Sequence, residues 1–480
     1  MGSQDAKASN CCSNDSGKEK DTMSLFRPPI VRSGTAALNR ALFTKKVDLA
    51  AAALKDPRLI SQYRKSLTAH KEILGLDRIS PIRPHPDQAL NKLGHKCFLL
   101  NPDVKLGVPE TYGPGLKEGI QKEDLTVIPY KLELDYDYWT ARDVLESILP
   151  EELHDEIPTG FNTAGHIAHL NLRDDYLDYK KLVAQVLIDK NIHIKTVINK
   201  VDNVGKESEF RTFKYEVLAG EDDLQVQVNH HNCSFEFDYS KVYWNSKLET
   251  EHFRIASMFN PGEVVCDVMA GIGPFAVPSG KKGVFVWAND KNPESFKCLD
   301  AAIQRNKVSQ YVTPSCMDGH DFIRQSADIV LEASKQKKFA TLAPKKPKKD
   351  DKSKEIIPAT MVYAPPTISH FVMNLPAIAI EFLGSYRGIY HGHEDLFEPV
   401  TNKKLPMVHV HCFSFKAQDE TPINDICDRV TKYLGYPMKP GNPDNAGEVS
   451  IHNVRNVAPA KSMYCASFRI PKEVAFAPRP

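Results

Sequence analysis

Four short stretches of the chain carry residue types able to hold a small cofactor and move a proton. The first, VVCDVMAGIGPF at residues 264–275, is a β-branched run with an acid, Asp267, followed by Ala270, Gly271, Gly273 and Pro274. A strand entering a glycine turn that opens a helix is where α/β proteins seat a cofactor. A dinucleotide would want a third glycine at the usual offset, and Pro274 removes an N–H that a pyrophosphate would use. The next strand-like run, GVFVWAND, ends in Asp290, about twenty residues past the glycines, where a carboxylate accepts from ribose hydroxyls. A third, in CMDGHDF, ends near Asp318 and Gly319, in reach of an adenine amino group. Two acids for a nucleoside, a Cβ-free turn for an amino-acid portion and no phosphate cradle fit S-adenosyl-L-methionine.

The fourth stretch, HFVMNLP, ends in Asn374, Leu375 and Pro376. An amide and rigid backbone carbonyls at that place can hold a planar base nitrogen edge-on to a sulfonium methyl. Taken alone, a turn after a strand is unremarkable. His166 and His169 in GHIAHLNLR lack a third ligand, so a structural or RNA-contacting role is expected and no metal. The ten cysteines contain no CxxC pair, which argues against a zinc site or a disulfide framework.

Positioning these residues requires a strand-helix alternation. Strands are expected at 263–268, 284–289, 311–316, 370–375, 407–415, 449–454 and 463–470, with helices between most of them. The last two are joined too tightly for a helical crossover. A hairpin inserted into a parallel sheet gives an α/β, class I (Rossmann-like) methyltransferase domain with a mostly parallel seven-stranded sheet over 244–480. Two smaller α+β domains are expected before it, at 23–130 and 131–243. In the first, AALNRALF and VDLAAAALKD have the alanine content and spacing of helix.

With 480 residues and 41% hydrophobic content the chain can build several cores. Lysine plus arginine, at 62, balance 61 acids, so attraction for nucleic acid must come from a local basic surface. No apolar run approaches the roughly 18–20 residues needed to span a bilayer, and no membrane role is expected. Residues 1–22 read as a disordered terminus. The acid-free segment from Met23 has the composition of a transit peptide, so a mitochondrial matrix form beside cytoplasm and nucleus depends on a start at Met23. The Lys-rich insertion at 335–357 reads as a solvated surface loop.

The blocks SKVYWNSKLETEH, CDVMAGIGPFAVPSGKKG, ANDKNPES and NLP, with GHIAHLNLR and FRTFKYEVLAG upstream, closely resemble the archaeal and eukaryotic tRNA (guanine(37)-N1)-methyltransferase family. The resemblance covers roughly 130–480 strongly and the first domain loosely. It implies a monomer that methylates N1 of the guanosine 3′ to the anticodon, supporting reading-frame maintenance. A first domain would check the tRNA outer corner and a middle domain would lie near the anticodon arm. By motif match it assigns Arg211, Glu251, Asn374 and Pro376 to catalysis, and Tyr243 and Lys247 to the substrate. The residues expected around the cofactor are His252, Asp267, Ala270, Gly271, Gly273, Asp290, Lys291, Asp318, Gly319 and Asn374. Lys247 stands where arginine is usual, turning a bidentate contact into a point charge. Met269 replaces the usual Phe, a change expected to alter packing only.

The chemistry asks for the same types. Guanine N1 is not nucleophilic until its proton leaves, which needs a base such as Glu251. Charge then grows on O6, which Arg211 would stabilise. The rivals are a wybutosine-type aminocarboxypropyl transferase using the same cofactor, and a non-catalytic tRNA-binding module.

Overall fold

The computed structural model describes residues 25–32, 34, 37–201, 214–342, 360–417 and 419–480. The expected disordered terminus, the start of the Met23 segment, Arg211 and most of the Lys-rich insertion lie outside the described residues. Two compact units make up the chain. One comprises residues up to Gly160 with Leu172–His193, the other Phe161–Asn171 with Ile194–Pro480. These units divide the chain along other lines than cuts at 130 and 243. Helices Ala141–Ile148 and Lys180–Lys190 belong to the first unit, while strands Asn162–Ala164 and Ile167–Leu170 belong to the second.

The first unit corrects one expectation. The alanine-rich run is not a helix: Lys45–Leu54 is a strand, at an interior position of a four-stranded antiparallel sheet. It pairs with Leu125–Leu134 along its whole length and with Lys96–Leu99 at its end. Leu49 through Leu54 are all buried, so both faces of the strand are covered, and small alanines let neighbours approach on each side. Sheet pairing here overrides alanine's intrinsic helix preference. Helix Ile60–Ala69 packs its Tyr63 and Leu67 onto Phe98 and Leu116.

The largest sheet among the described residues of the second unit carries the strand ends of interest. Its strands are β1 (Val264–Asp267), β2 (Phe285–Asn289), β3 (Val312–Ser315), β4 (His370–Met373), β5 (Met407–Phe415), β6 (Lys439–Pro440), β7 (Glu448–Ala458) and β8 (Lys461–Arg469). Their order is β3-β2-β1-β4-β5-β8-β7-β6. The first five are parallel, and the β7-β8 hairpin turns back so that β8 runs antiparallel to β5. The sheet therefore has eight strands where seven were expected. The extra one, β6, is two residues long, too short to leave a periodic signal, and its Pro440 is tolerated because it sits at the edge.

Helices α1 (Glu249–Met258), α2 (Ala276–Lys281), α3 (Pro293–Arg305), α4 (Gly319–Lys335) and α5 (Thr421–Leu434) complete the layers. Buried Leu299 and Ile303 of α3 join Val265, Val286 and Val312 in one core; Phe322 and Val330 of α4 join Val264, Phe285 and Phe371 in another. The β4-β1 boundary, where the strand order reverses, is the switch point at which open α/β sheets bind ligands.

Candidate active site

β1, β2 and β3 end side by side because Asn289, the fully buried last residue of β2, bonds to all of them. Its Nδ2 donates to Val268 O (3.1 Å) and Met317 O (3.0 Å), and its Oδ1 accepts from Met317 N (2.9 Å) and Ser315 Oγ (3.0 Å). In the sequence Asn289 is marked only as an amide closing an apolar strand.

Beyond these ends lies a cavity of about 280 Å³ lined in part by Tyr243, Asp290, Lys291, Asp318, Gly319 and Asn374. Gly271, also in the lining, has φ +57° and nothing within 4 Å of where a Cβ would stand. Gly273, at φ +92°, serves packing instead: a Cβ would come 2.6 Å from Leu299 Cδ1 on α3. Ala270 holds the turn, donating to Asn289 O (2.7 Å) and accepting from Gly273 N (2.9 Å).

Asp290 accepts from Gly271 N through Oδ2 (2.7 Å) and from Asn292 N through Oδ1 (2.9 Å). Burial raises its pKa while those two N–H groups hold it down. Each oxygen keeps a further lone pair for a ribose hydroxyl. Asp318 caps α4 through His320 N (2.9 Å), and its Oδ2 stands 3.3 Å from Lys291 Nζ. A Cβ at Gly319 would come 3.0 Å from Phe382 Cε1. Leu375 of the NLP turn forms an apolar wall with Ile378 and Phe382, two residues that the sequence did not reveal because they follow that turn, in or beside the 3-10 helix Ala379–Tyr386. Met269 also lines the cavity, so its replacement of phenylalanine shapes the site as well as the packing.

Two polar groups near the cavity lack well-formed hydrogen bonds. Asn374 Oδ1 is buried and accepts no hydrogen bond, a state that costs about 1–3 kcal/mol until a donor arrives. Both oxygens of Asp267, just behind the cavity, lack a well-formed hydrogen bond, the Met269 N–H being near enough only to oppose the rise in its pKa. Burial and the neighbouring Asp290 push Asp267 up to about 8, so it is protonated at neutral pH. An apolar wall, acids for a nucleoside, an open glycine turn and one orphaned acceptor fit S-adenosyl-L-methionine. Asp290, Asp318 and Gly271 would hold it.

Glu251 lies elsewhere. It sits in the first turn of α1, 4% exposed, and is not part of the cavity lining. Arg254 grips it twice, Nε to Oε2 at 2.6 Å and Nη2 to Oε1 at 2.7 Å, and His411 Nε2 lies 2.7 Å from Oε1. Burial opposes the charge, yet the hydrogen bonds from Arg254 and His411 hold the carboxyl down to about 2. His411 Nδ1 in turn reaches the carbonyl of Met373 (3.4 Å), the residue before Asn374. Pro376, buried, accepts from Phe413 N (3.0 Å), fixing the turn to β5.

The remaining expectations separate. Tyr243 lines the cavity and is 43% exposed; its hydroxyl accepts from Asn245 Nδ2 (3.3 Å). Lys247 is exposed on the next turn. His252 is not at the cofactor cavity: it is buried, with Nδ1 3.2 Å from His230 Nε2 and its ring on Phe275. Helical spacing turns it toward the hairpin beneath α1. His169 is bonded to the Tyr239 hydroxyl (3.0 Å), and His166 meets Asp223 O (3.1 Å). A larger, open cleft of about 1790 Å³ in the first unit carries none of these motifs.

Comparison with known proteins places these features in context. Residues 226–348 match the model of the TRM5/TYW2 methyltransferase domain, and 141–223 match that of the TYW2 N-terminal domain. The chain is 68% identical over 463 residues to the tRNA (guanine(37)-N(1))-methyltransferase of Neurospora crassa, covering 96% of this chain and 97% of that one. It is 59% identical over 465 residues to the protein of the same name from Fusarium vanettenii, covering 97% and 100%. The crystal structure of Trm5b from Pyrococcus abyssi has the same fold, with a TM-score of 0.55 at 22% identity over 88% of this chain and 99% of that one.

Proposed function

The chain belongs to the tRNA (guanine(37)-N(1))-methyltransferase family, and from that premise we infer that it methylates N1 of guanosine 37 in tRNA. S-adenosyl-L-methionine is its cofactor and supplies an electrophilic methyl group on a sulfonium. The two domain models are shared with the wybutosine branch; the full-length relatives favour methyl transfer.

One observation carries the reading of the site. Asn374, whose Oδ1 is an orphaned acceptor, lines the cavity with Asp290 and Asp318, and His411 ties the carbonyl of the preceding residue, Met373, to a buried carboxylate, Glu251. We propose that Asn374 accepts from an N–H of the guanine edge and that Glu251 takes the N1 proton. Glu251 is ionised, as a base must be, but two partners weaken it. Arg254, its side chain a quarter exposed, is the partner that a tRNA phosphate can draw away; fully buried His411 stays. Release of Arg254 strengthens the base at the moment substrate is present. Tyr243 packs on the flipped base, Lys247 meets phosphate, and Arg211 receives the charge on O6 by its motif match.

The reading extends to a monomer that grips the anticodon arm with its second unit and tests the outer corner of tRNA with its first. The first unit's cleft is lined by Arg27, Arg32, Lys45, Lys71 and Arg78 and also by the acids Asp77, Asp103, Asp143, Glu146 and Glu151, so its charge is balanced and the outer-corner role rests on the family membership. Two forms of labelled cofactor test the reaction class. Label in the methyl group should appear in tRNA, whereas label in the aminocarboxypropyl portion should stay with the cofactor product; the opposite pattern would establish the rival transferase.

A further inference from the structure

A second group of potential ligands lies under α1, away from the cofactor cavity. Strands Gln225–His230 and Cys233–Asp238 are joined by His231 and Asn232, both at positive φ (48° and 61°), the geometry of a two-residue type I′ turn. That turn sets the His230 and His231 rings edge to face, with centroids 4.1 Å apart. Glu249, in the first turn of α1, brings Oε1 to 3.6 Å from His230 Nδ1. One ligand atom from each of His230, His231 and Glu249 lies within 4.8 Å of the others.

We propose that His230, His231 and Glu249 bind a divalent transition-metal ion, zinc by the nature of the ligands. At 3.6 Å the ring nitrogen and carboxylate oxygen are too far apart for a hydrogen bond. The spacing instead approaches the edge of a zinc tetrahedron, about 3.3 Å when each bond is about 2.0–2.1 Å. Two imidazoles and one carboxylate with a fourth position for water is a ligand set that zinc accepts.

Support behind the ligands is already in place. His230 is buried, and its other ring nitrogen, Nε2, meets His252 Nδ1 at 3.2 Å. A metal-binding histidine is typically oriented in this way by a bond to its second nitrogen. His252 itself is fixed by Phe275. His231 Nε2 already reaches Glu249 O (3.0 Å), so the turn and the start of α1 are in contact before any ion binds. An ion here would pin the hairpin to the helix turn that carries Glu251, two residues beyond Glu249.

The test uses full-length protein stripped with a chelator, then titrated with Co²⁺ in the spectrophotometer and with Zn²⁺ in the calorimeter. One equivalent should bind, with visible cobalt bands of a low-coordinate nitrogen and oxygen site. Glu249→Gln alters an exposed side chain and should keep the metal-free thermal midpoint, whereas His231→Ala also removes the bond to Glu249 O and should lower it modestly; each should weaken Zn²⁺ at least about tenfold. Zn²⁺ should raise the wild-type midpoint and leave that of the double variant unmoved. Absence of stoichiometric binding would overturn the proposal. So would unchanged affinity in both variants, or sulfur-to-cobalt charge transfer, which would place the ion at the buried Glu251, His411 and Cys465 instead.

Discussion

His411 and Glu251 form a buried pair between the sheet and a helix: the imidazole Nε2 of β5 lies 2.7 Å from the carboxylate of α1, and neither side chain is more than 3% exposed. The charges support one another. Burial works against the imidazolium, yet the Cys465 sulfur and the Glu251 carboxylate push His411 up to about 10, while Arg254 and His411 hold Glu251 near 2.

Glu251→Gln is therefore not a silent change of shape. Single-turnover methyl transfer should fall by about 10²–10⁴, the usual contribution of a positioned base. Gln also strands Arg254 and His411, so urea unfolding should show a loss of about 3 kcal/mol or more. Activity must be read on the folded fraction, and turnover near that of the wild type would move the base elsewhere.

His411 predicts an alkaline loss of stability. Its folded pKa lies above the unfolded value, so its contribution is complete below about 6.5 and fades as pH rises toward about 10. Glu251 acts in the opposite window, its contribution fading as pH falls from about 4.5 toward about 2. Thermal midpoints of the wild type should drop more steeply between pH 7 and 10 than those of His411→Gln. Parallel curves would show that the imidazole is uncharged.

Asp267 gives a second pH signature. Its folded pKa, about 8, is far above the unfolded value, so the wild type loses stability steadily from about pH 4 to pH 8 as the unfolded chain alone ionises. Asp267→Asn mimics the protonated acid. It should raise the thermal midpoint at pH 8 and match the wild type near pH 4. A lower midpoint at pH 8 would mean that the carboxylate is charged and needed.

Asp290→Ala should weaken cofactor binding by about 1–3 kcal/mol in calorimetry, the cost of removing hydrogen bonds to a charged acceptor. Asp290 also accepts from Gly271 N, so a modest drop in thermal midpoint is expected as the glycine turn loosens. Unchanged cofactor affinity would remove Asp290 from the site.

The second unit's sheet was legible because its strands are apolar runs ending in acids, amides or glycines, and those ends are the cofactor site. Gly271, Asp290, Lys291, Asp318, Gly319 and Asn374 could be read from strand-end position and motif together, and the structure brings them around one cavity. What stayed hidden depends on tertiary partners. Ala50 to Ala53 look helical until strands cover both flanks, and Arg254 and His411 acquire their meaning only where α1 crosses β5. His252 shows the converse, a motif residue whose ring the fold turns toward His230.

The central claim is methyl transfer to one atom of one nucleotide, and single-turnover transfer from labelled S-adenosyl-L-methionine to paired tRNA transcripts addresses it directly. Transcripts with guanosine at position 37 should take up one methyl per tRNA, located on N1 by mass spectrometry of the nucleosides. Transcripts with adenosine at that position should take up none. Equal labelling of both, or a methyl group on another atom or nucleotide, would contradict the account.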